Sequence, residues 1–524
     1  MNWDAGRRGG AYSSLELGEA GGADAAGGGS SGGDGNGLAV GVEQSVDYAA
    51  LAVEARNALR RYKLTAVAAA GAAVVLAIAL AAVVVTGHGS DAQAAAPNAA
   101  VVDPLEACGG RGMLEDSVCR CDACASGAAC DTVVSDAECV VAASSGSPFV
   151  FEEYWHGLRS EQPAASVDTV VNIEPYYHIG YGGVVGAGGC GGFAPGADIC
   201  VDLLEQEVRA LHGAVGNFDP EGFHYIPAVG STELISAALY GDNLGTRIAV
   251  YSDVPFYSGY KSTSDFFGRE WLQSAAEAAT TASAGTSNAS AHVLEFVTSP
   301  NNPDGSMRAS SVRGLIEGGA TPAGTSLSVV WDSAYYWPHY TSIAGDRARN
   351  AHENDIVLFT LSKLTGHASS RVGWAFTRNE SIAERLKAYV GVNGGVSREA
   401  QLRASTILAS ERKRGYPVLS WARDTMHGRW DTLEEILGAS GNATCLELHP
   451  RDDESSPAYA LLRCTKAADC YASLLQGAGI KGRAGTQFGA SSDYLRLELL
   501  MGSRDFDAMQ RKLRTFVVED GCAS

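Results

Sequence analysis

Asp355-Ile-Val-Leu-Phe-Thr-Leu-Ser-Lys-Leu-Thr-Gly-His-Ala-Ser-Ser-Arg371-Val-Gly-Trp-Ala-Phe-Thr377 opens as an apolar run, Ile356 to Leu361, of the length and type of a buried strand. It then sets Lys363 at the strand's end, where a dry strand would not ordinarily finish, and Arg371 eight residues on. Desolvation and a neighbouring cation favour the uncharged amine, the form that attacks carbonyls and makes Schiff bases. Taken alone, the pair also fits a lysine that snorkels to the surface. Three other stretches bear on that choice.

Around this stretch, strand-like runs recur at Phe223 to Ile226, Arg247 to Tyr251, His292 to Val297, Leu327 to Trp331 and Arg371 to Phe376, with helical periodicity between several of them. This is α/β order, which predicts a mostly parallel sheet with ligands at the strand ends. Beyond about residue 395 come long helices and then strands near Cys445 to Leu448, Tyr459 to Leu462 and Tyr494 to Leu500, which read as a smaller α+β domain.

Each of the three stretches places polar residues after an apolar run. In Val229-Gly-Ser-Thr-Glu-Leu-Ile-Ser-Ala-Ala-Leu239, backbone N–H groups and two hydroxyls converge at a helix start, an anion site. Thr298-Ser-Pro-Asn-Asn-Pro-Asp-Gly305 puts Asn302 in a turn at a strand end. Val330-Trp-Asp-Ser-Ala-Tyr-Tyr-Trp-Pro338 puts Asp332 behind an apolar strand with Tyr335 three residues later, and a carboxylate there needs a cation or donor. Thr360, Ser362 and Arg371 could hold a phosphate beside Lys363. A phosphate nest, an acid for a ring nitrogen, an Asn and a Tyr for a phenolic oxygen and a lysine for an aldehyde together describe pyridoxal phosphate.

The order of these motifs, with Asp332-x-x-Tyr-Tyr-Trp-Pro-His-Tyr and Leu358-Phe-Thr-Leu-Ser-Lys-x-Thr-Gly-His-Ala, resembles the alliinase and tryptophan aminotransferase-related family within the fold-type-I aminotransferases, over roughly residues 104 to 520. The resemblance implies a large domain of the pyridoxal-phosphate-transferase type plus a smaller α+β domain. It implies that Lys363 holds the cofactor aldehyde and moves the proton, and that Asp332 pairs with the ring nitrogen. Asn302 and Tyr335 would bond the phenolic oxygen, and Gly230, Ser231, Thr232, Thr360 and Arg371 the phosphate. Tyr257 would stack on the ring. Arg496 would clamp the substrate carboxylate, and Gly146, Ser147 and Pro148 would lie over the substrate. Tyr181 would reach a neighbouring subunit's phosphate, implying a homodimer, although the Gly-rich run Gly180 to Gly192 departs from the family pattern there.

Upstream the chain changes character. Residues 1–63 begin with a Gly-, Ala-, Ser- and acid-rich tail that cannot bury enough surface to order itself. Leu64 to Thr86 is uncharged and long enough to span a bilayer, which takes about 20 residues, with Arg56, Arg60, Arg61 and Lys63 on its N-terminal flank only. It reads as a signal anchor with a cytosolic tail and everything beyond it lumenal or extracellular; a cleaved signal peptide is the competing reading. Residues 87–103 form a short stalk.

All twelve cysteines follow the apolar segment, as in an oxidising compartment. Cys108, Cys119, Cys121, Cys124, Cys130 and Cys139 fall in a stretch, 104–143, with few large apolar side chains, so staples are expected: zinc or, better, three disulfides. The spacing resembles the EGF-like module of alliinases. That resemblance implies the pairs Cys108–Cys119, Cys121–Cys130 and Cys124–Cys139, and Cys464 with Cys470 in the small domain. Cys190, Cys200, Cys445 and Cys522 are unassigned, with Cys190–Cys200 one option.

Residues 144–522 then form the catalytic region, its smaller subdomain built from about 395 onward together with 144–175. A net charge of −21 argues against a nucleic-acid partner, and no metal role is read. The expectation is a membrane-anchored pyridoxal-phosphate enzyme that takes an amino acid and a 2-oxo acid acceptor as an aminotransferase. The alternatives are an alliinase-type carbon–sulfur lyase and a non-catalytic cell-surface binding protein.

Overall fold

The computed structural model describes residues 108–115, 118–161, 199–240, 247–284, 291–317, 326–345, 347–438, 445–452 and 454–518. The segment 64–86, Tyr181, the Gly-rich run and the side chains of Cys190, Cys200 and Cys522 lie outside them. Among the described residues no helix is long and apolar enough to cross a membrane.

The first five strands are short: β1 (Gly112–Glu115), β2 (Val118–Cys121), β3 (Ala125–Ser126), β4 (Thr132–Val133) and β5 (Val141–Ala142). Two small antiparallel pairs, β1 with β2 and β3 with β4, are held by disulfides Cys108–Cys119, Cys121–Cys130 and Cys124–Cys139. These are the pairs the family resemblance implied, and a segment this poor in large apolar residues depends on them.

The large sheet comprises β6 (His224–Ala228), β7 (Arg247–Tyr251), β8 (Glu270–Trp271), β9 (Ala291–Thr298), β10 (Leu327–Asp332), β11 (Ile356–Thr360) and β12 (Gly373–Thr377). Its order is β6-β12-β11-β10-β9-β7-β8, with β12 antiparallel to both neighbours and the other pairings parallel. The apolar runs are continuous because both faces are covered: Val329 and Trp331 enter one core and Val330 the other, as do Val357 and Phe359 against Ile356 and Leu358.

Two of the expected boundaries that move bear on the site. The strand expected over Ile356 to Leu361 stops at Thr360, whose side chain caps a one-turn helix, Leu361–Leu364, that carries Lys363. Arg371 is not in a strand but in a left-handed turn at φ 51°, two residues before β12.

At the other end of β11, Asp355 is buried and forked by Arg313 at 2.7 and 3.0 Å, and it also accepts from Val329 N and Trp331 Nε1. A buried charge needs this full set of partners.

Behind the sheet His212 is fully buried; Trp374 Nε1 donates to its Nε2 at 3.1 Å, so the neutral ring carries its proton on Nδ1 and donates to Asn217 Oδ1 at 2.8 Å. Burial lowers this imidazole from about 6.5 to about 4. A depressed histidine contributes full stability above its unfolded pKa and loses it as pH falls. Unfolding free energy should therefore drop on the order of 3 kcal/mol between pH 6.5 and 4 through this group. Denaturant titrations of wild type and His212→Gln should differ by that amount in their pH slopes, and equal slopes would show that His212 is not the acid-sensitive group.

The smaller sheet contains β13 (Leu446–Leu448), β14 (Tyr459–Cys464), β16 (Arg483–Ala484) and β17 (Tyr494–Glu498) in the order β13-β14-β17-β16, all antiparallel, while β15 (Ile480–Lys481) pairs in parallel with β5. Cys464 and Cys470 are bonded, as the resemblance implied, and Cys445 is also in a disulfide. The register sets Leu461 and Arg483 beside Arg496, and Tyr459 beside Glu498 two residues along the same strand face.

Candidate active site

Asp332 is level with Thr298 and Leu358 across β9, β10 and β11, so Asn302, Asp332 and Lys363 all sit at or just beyond one edge, the carboxyl ends of the parallel strands. A cavity of about 280 Å³ opens there. Its lining brings together Gly146, Ser147, Ser231, Thr232, Tyr257, Asn302, Asp332, Tyr335, Thr360, Lys363, Arg371 and Arg496. Gly230 does not line the cavity itself but opens the helix Gly230–Tyr240 beside it.

That helix start and the left-handed turn at Arg371 meet. Gly230 has φ +76°, and a Cβ there would stand 2.5 Å from Arg371 Nη2, so only glycine lets the guanidinium approach. Arg371 Nη2 donates to Val229 O at 3.3 Å, and the hydroxyl of Thr360 bonds that of Ser362 at 3.1 Å. The N-terminal amides, the hydroxyls of Ser231, Thr232, Thr360 and Ser362, and one guanidinium are a donor set that could hold a dianionic phosphate.

At the buried floor, Asp332 accepts from Tyr260 Oη at 2.7 Å and from Ala334 N at 3.1 Å. Burial pushes its carboxyl above the usual range, and these two donors pull the other way. A cation set against it would favour the carboxylate further. Tyr257 lies across the cavity wall with its ring edge-to-face to Tyr260, centroids 5.4 Å apart.

Lys363 Nζ donates to Gly146 O, while its own carbonyl accepts from His339 Nε2 at 3.0 Å and Tyr340 Oη at 3.1 Å. The turn that presents the amine is thus pinned from beneath. Asn302 Oδ1 accepts from Arg496 Nη1 at 3.0 Å, and the hydroxyls of Tyr335 and Tyr459 are 2.7 Å apart. Arg496 is fully buried, its Cζ 3.9 Å from the Tyr459 ring centroid, and its Nε has no hydrogen-bond partner. It forms no salt bridge among the described residues, although the Glu498 carboxylate is close enough to act on it electrostatically, and its Nη atoms keep two N–H groups beyond those given to Asn302 Oδ1 and Ser144 O. Those N–H groups could serve an anion in the cavity.

The cavity also holds Ser145, Tyr459 and Arg483, which the sequence did not single out. Tyr260 and Glu498 stand just behind it. Arg483 lies directly across the β16–β17 pairing from Arg496 and Glu498 two residues along β17 from it, and neither position is marked by the sequence around it.

A nest for phosphate, a buried carboxylate on the floor, a ring beside it and an amine opposite fit pyridoxal phosphate. The fold and this site define a pyridoxal-phosphate-dependent enzyme of fold type I. A family model described as Allinase matches residues 141–517, and the chain belongs to that family.

Among its relatives, tryptophan aminotransferase-related protein 3 of Arabidopsis thaliana is 30% identical over 78% of this chain and 86% of its own length. Alliin lyase 1 of Allium sativum is 29% identical over 76% and 79%. Among solved structures, the aspartate aminotransferase of Rhizobium meliloti shares the fold at TM-score 0.52, 12% identity and coverage of 72% and 90%. An Escherichia coli protein with methionine aminotransferase function does so at TM-score 0.51, 17% identity and coverage of 72% and 94%.

Proposed function

We propose that this enzyme is an aminotransferase that converts an amino acid to its 2-oxo acid, with Lys363 as the proton carrier. The observation that carries the reading is one cavity whose lining includes the Lys363 amine, the buried Asp332 carboxylate and the Arg496 guanidinium. In this reading the bound cofactor supplies an electron sink for the substrate's α-carbon. Asp332 holds a proton at the ring nitrogen, and Ser231, Thr232, Thr360 and Arg371 anchor the phosphate. Tyr257 would flank the ring, and Asn302 and Tyr335 would bond its phenolic oxygen. Arg496 fixes the substrate carboxylate so that the α-hydrogen points at Lys363 Nζ, which removes it.

Transamination asks for no proton carrier beyond Lys363, whereas expulsion of a β-leaving group needs a further donor to assist it; relatives with both kinds of name exist. The test offers the enzyme tryptophan, another aromatic amino acid or methionine with and without a 2-oxo acid, and separately an S-alkyl-cysteine sulfoxide. Acceptor-dependent turnover is expected. Pyruvate released from the sulfoxide without an acceptor, and no turnover of the other donors, would make it a carbon–sulfur lyase.

The segment 64–86 and its one-sided basic flank support a single-pass anchor with a cytosolic N-terminus and a lumenal or extracellular catalytic domain. Tyr181 supports a homodimer by its match to the family.

A further inference from the structure

Residues 144–148 form a strap along the cavity, and the site itself holds their polar atoms. Ser144 O accepts from Arg496 Nη2 at 3.0 Å. Ser145 Oγ and Gly146 N both donate to Glu498 Oε2, at 2.8 and 2.6 Å, and Gly146 O accepts from Lys363 Nζ. Gly146 has φ +78°, and a Cβ there would stand 2.6 Å from Tyr459 Oη, so the strap passes as close to the wall as a backbone can.

The upstream end of this strap continues into the disulfide module, and the downstream end is touched by it. Upstream, Cys139 is bonded to Cys124; Val141 N and Ala143 N then donate to Gly479 O and Lys481 O, and Glu498 N donates to Ala143 O, each at 2.9 Å. Downstream, the Arg120 guanidinium lies 4.2 Å from the Phe149 ring centroid and pairs with Glu152 at 2.5 Å. Arg120 belongs to β2, next to Cys119 and Cys121, each of which is in a disulfide. The module is in turn seated on the C-terminal helix Ser503–Val518: Ala123 N donates to Asp505 Oδ1 at 2.7 Å, Arg504 pairs with Asp122 at 3.1 Å and Lys512 Nζ donates to Asp136 O at 2.7 Å.

A five-residue strap with a glycine at its centre loses much conformational freedom when it is fixed, and fixing it before substrate arrives removes that cost from binding. We propose that the disulfide module positions the active site: it clamps both ends of the strap, with Arg120 and Glu498 as positioning residues that set where Ser145, Gly146 and Ser147 meet the substrate. Neither side chain lines the cavity. Arg120 holds the outgoing end and Glu498 the middle. The proposal rests on the reading of the cavity as the amino-acid site.

The full chain, loaded with pyridoxal phosphate, is compared with Arg120→Ala, Arg120→Lys and Glu498→Ala. A cation–π contact and a partly exposed ion pair together correspond to about a tenfold effect. Arg120→Ala should raise KM for the amino acid about tenfold with a smaller change in kcat, and leave cofactor affinity unchanged. Glu498→Ala should act in the same direction. Arg120→Lys, which keeps a cation over Phe149 and beside Glu152, should restore most of the KM.

The second readout is backbone hydrogen exchange of peptides covering 144–149, which should quicken about tenfold in both alanine variants without any substrate present. If Arg120→Ala lowers only the thermal midpoint, with KM and exchange at 144–149 unchanged, the module is a structural support and the proposal is overturned. If the wild type turns over no amino acid, the functional reading falls instead, and the exchange data still decide whether the clamp exists.

Discussion

Lys363→Ala is expected to lower turnover by about four orders of magnitude, the upper range for a positioned general acid–base group, and to leave the protein folded. Both halves follow from the surroundings of this residue. The turn Leu361–Leu364 is held by backbone and by Thr360, and the Lys363 carbonyl by His339 and Tyr340, so none of its scaffolding depends on the amine. Removing the side chain deletes one bond, from Nζ to Gly146 O, at the cavity wall rather than in the core. In the proposed site, affinity for the cofactor is spread over the phosphate donors and Asp332, so the variant should still bind it, only reversibly. Borohydride should fix pyridoxal phosphate to the wild type and not to the variant, and dialysis should strip it from the variant alone. Turnover within tenfold of wild type would remove Lys363 from its assigned role, whereas a variant that neither folds nor retains cofactor would show that the turn needs the side chain.

Lys363 and Asp332 were legible for the same physical reason. Each is a polar residue at or just past the end of a run that must be dry, and such a residue needs a partner that the local sequence does not supply. Tyr459 and Glu498 carry no such mark. They alternate along β14 and β17 with residues on the opposite face, and in an antiparallel strand a polar side chain reads as solvent-facing until the pairing partner is known. Tyr260, which holds Asp332, reads as an ordinary apolar-face residue of the helix Ser258–Phe266.

Two-residue strands such as β8, β15 and β16 are too short to show any period, and β16 is the one that brings Arg483 into the cavity. Arg371 heads a strand-like run, Arg371 to Phe376, of which only Gly373 onward is strand. Its left-handed backbone, which turns the guanidinium toward Gly230, is set by contacts made elsewhere in the chain. The disulfide module was legible as a unit from its cysteines, while its grip on Phe149 and Glu152 depends on tertiary geometry alone.

Arg496→Ala should reduce kcat/KM for the amino acid by about three orders of magnitude, most of it in KM. A forked guanidinium–carboxylate pair replaces two hydrogen bonds to a charged group, each contributing about 1.5 to 3 kcal/mol. Of the five N–H groups of Arg496, one is committed to Asn302 Oδ1 and one to Ser144 O, while Nε stays buried without a partner. The fork therefore has donors to spare for a carboxylate. In the proposed role it binds that carboxylate throughout the reaction, so its loss would weaken substrate and transition state together, the pattern of a raised KM.

Arg496→Lys should recover only part of the loss, since an ammonium is a point charge and cannot reproduce the fork or its stacking on Tyr459. Cofactor retention, followed by absorbance, should stay at the wild-type level in Arg496→Lys and separates a binding defect from a collapsed site. If KM is unchanged in Arg496→Ala while cofactor is retained, the carboxylate is held elsewhere. Arg483 is then the group to replace next, because it lines the same cavity, half-buried, directly across the β16–β17 pairing from Arg496.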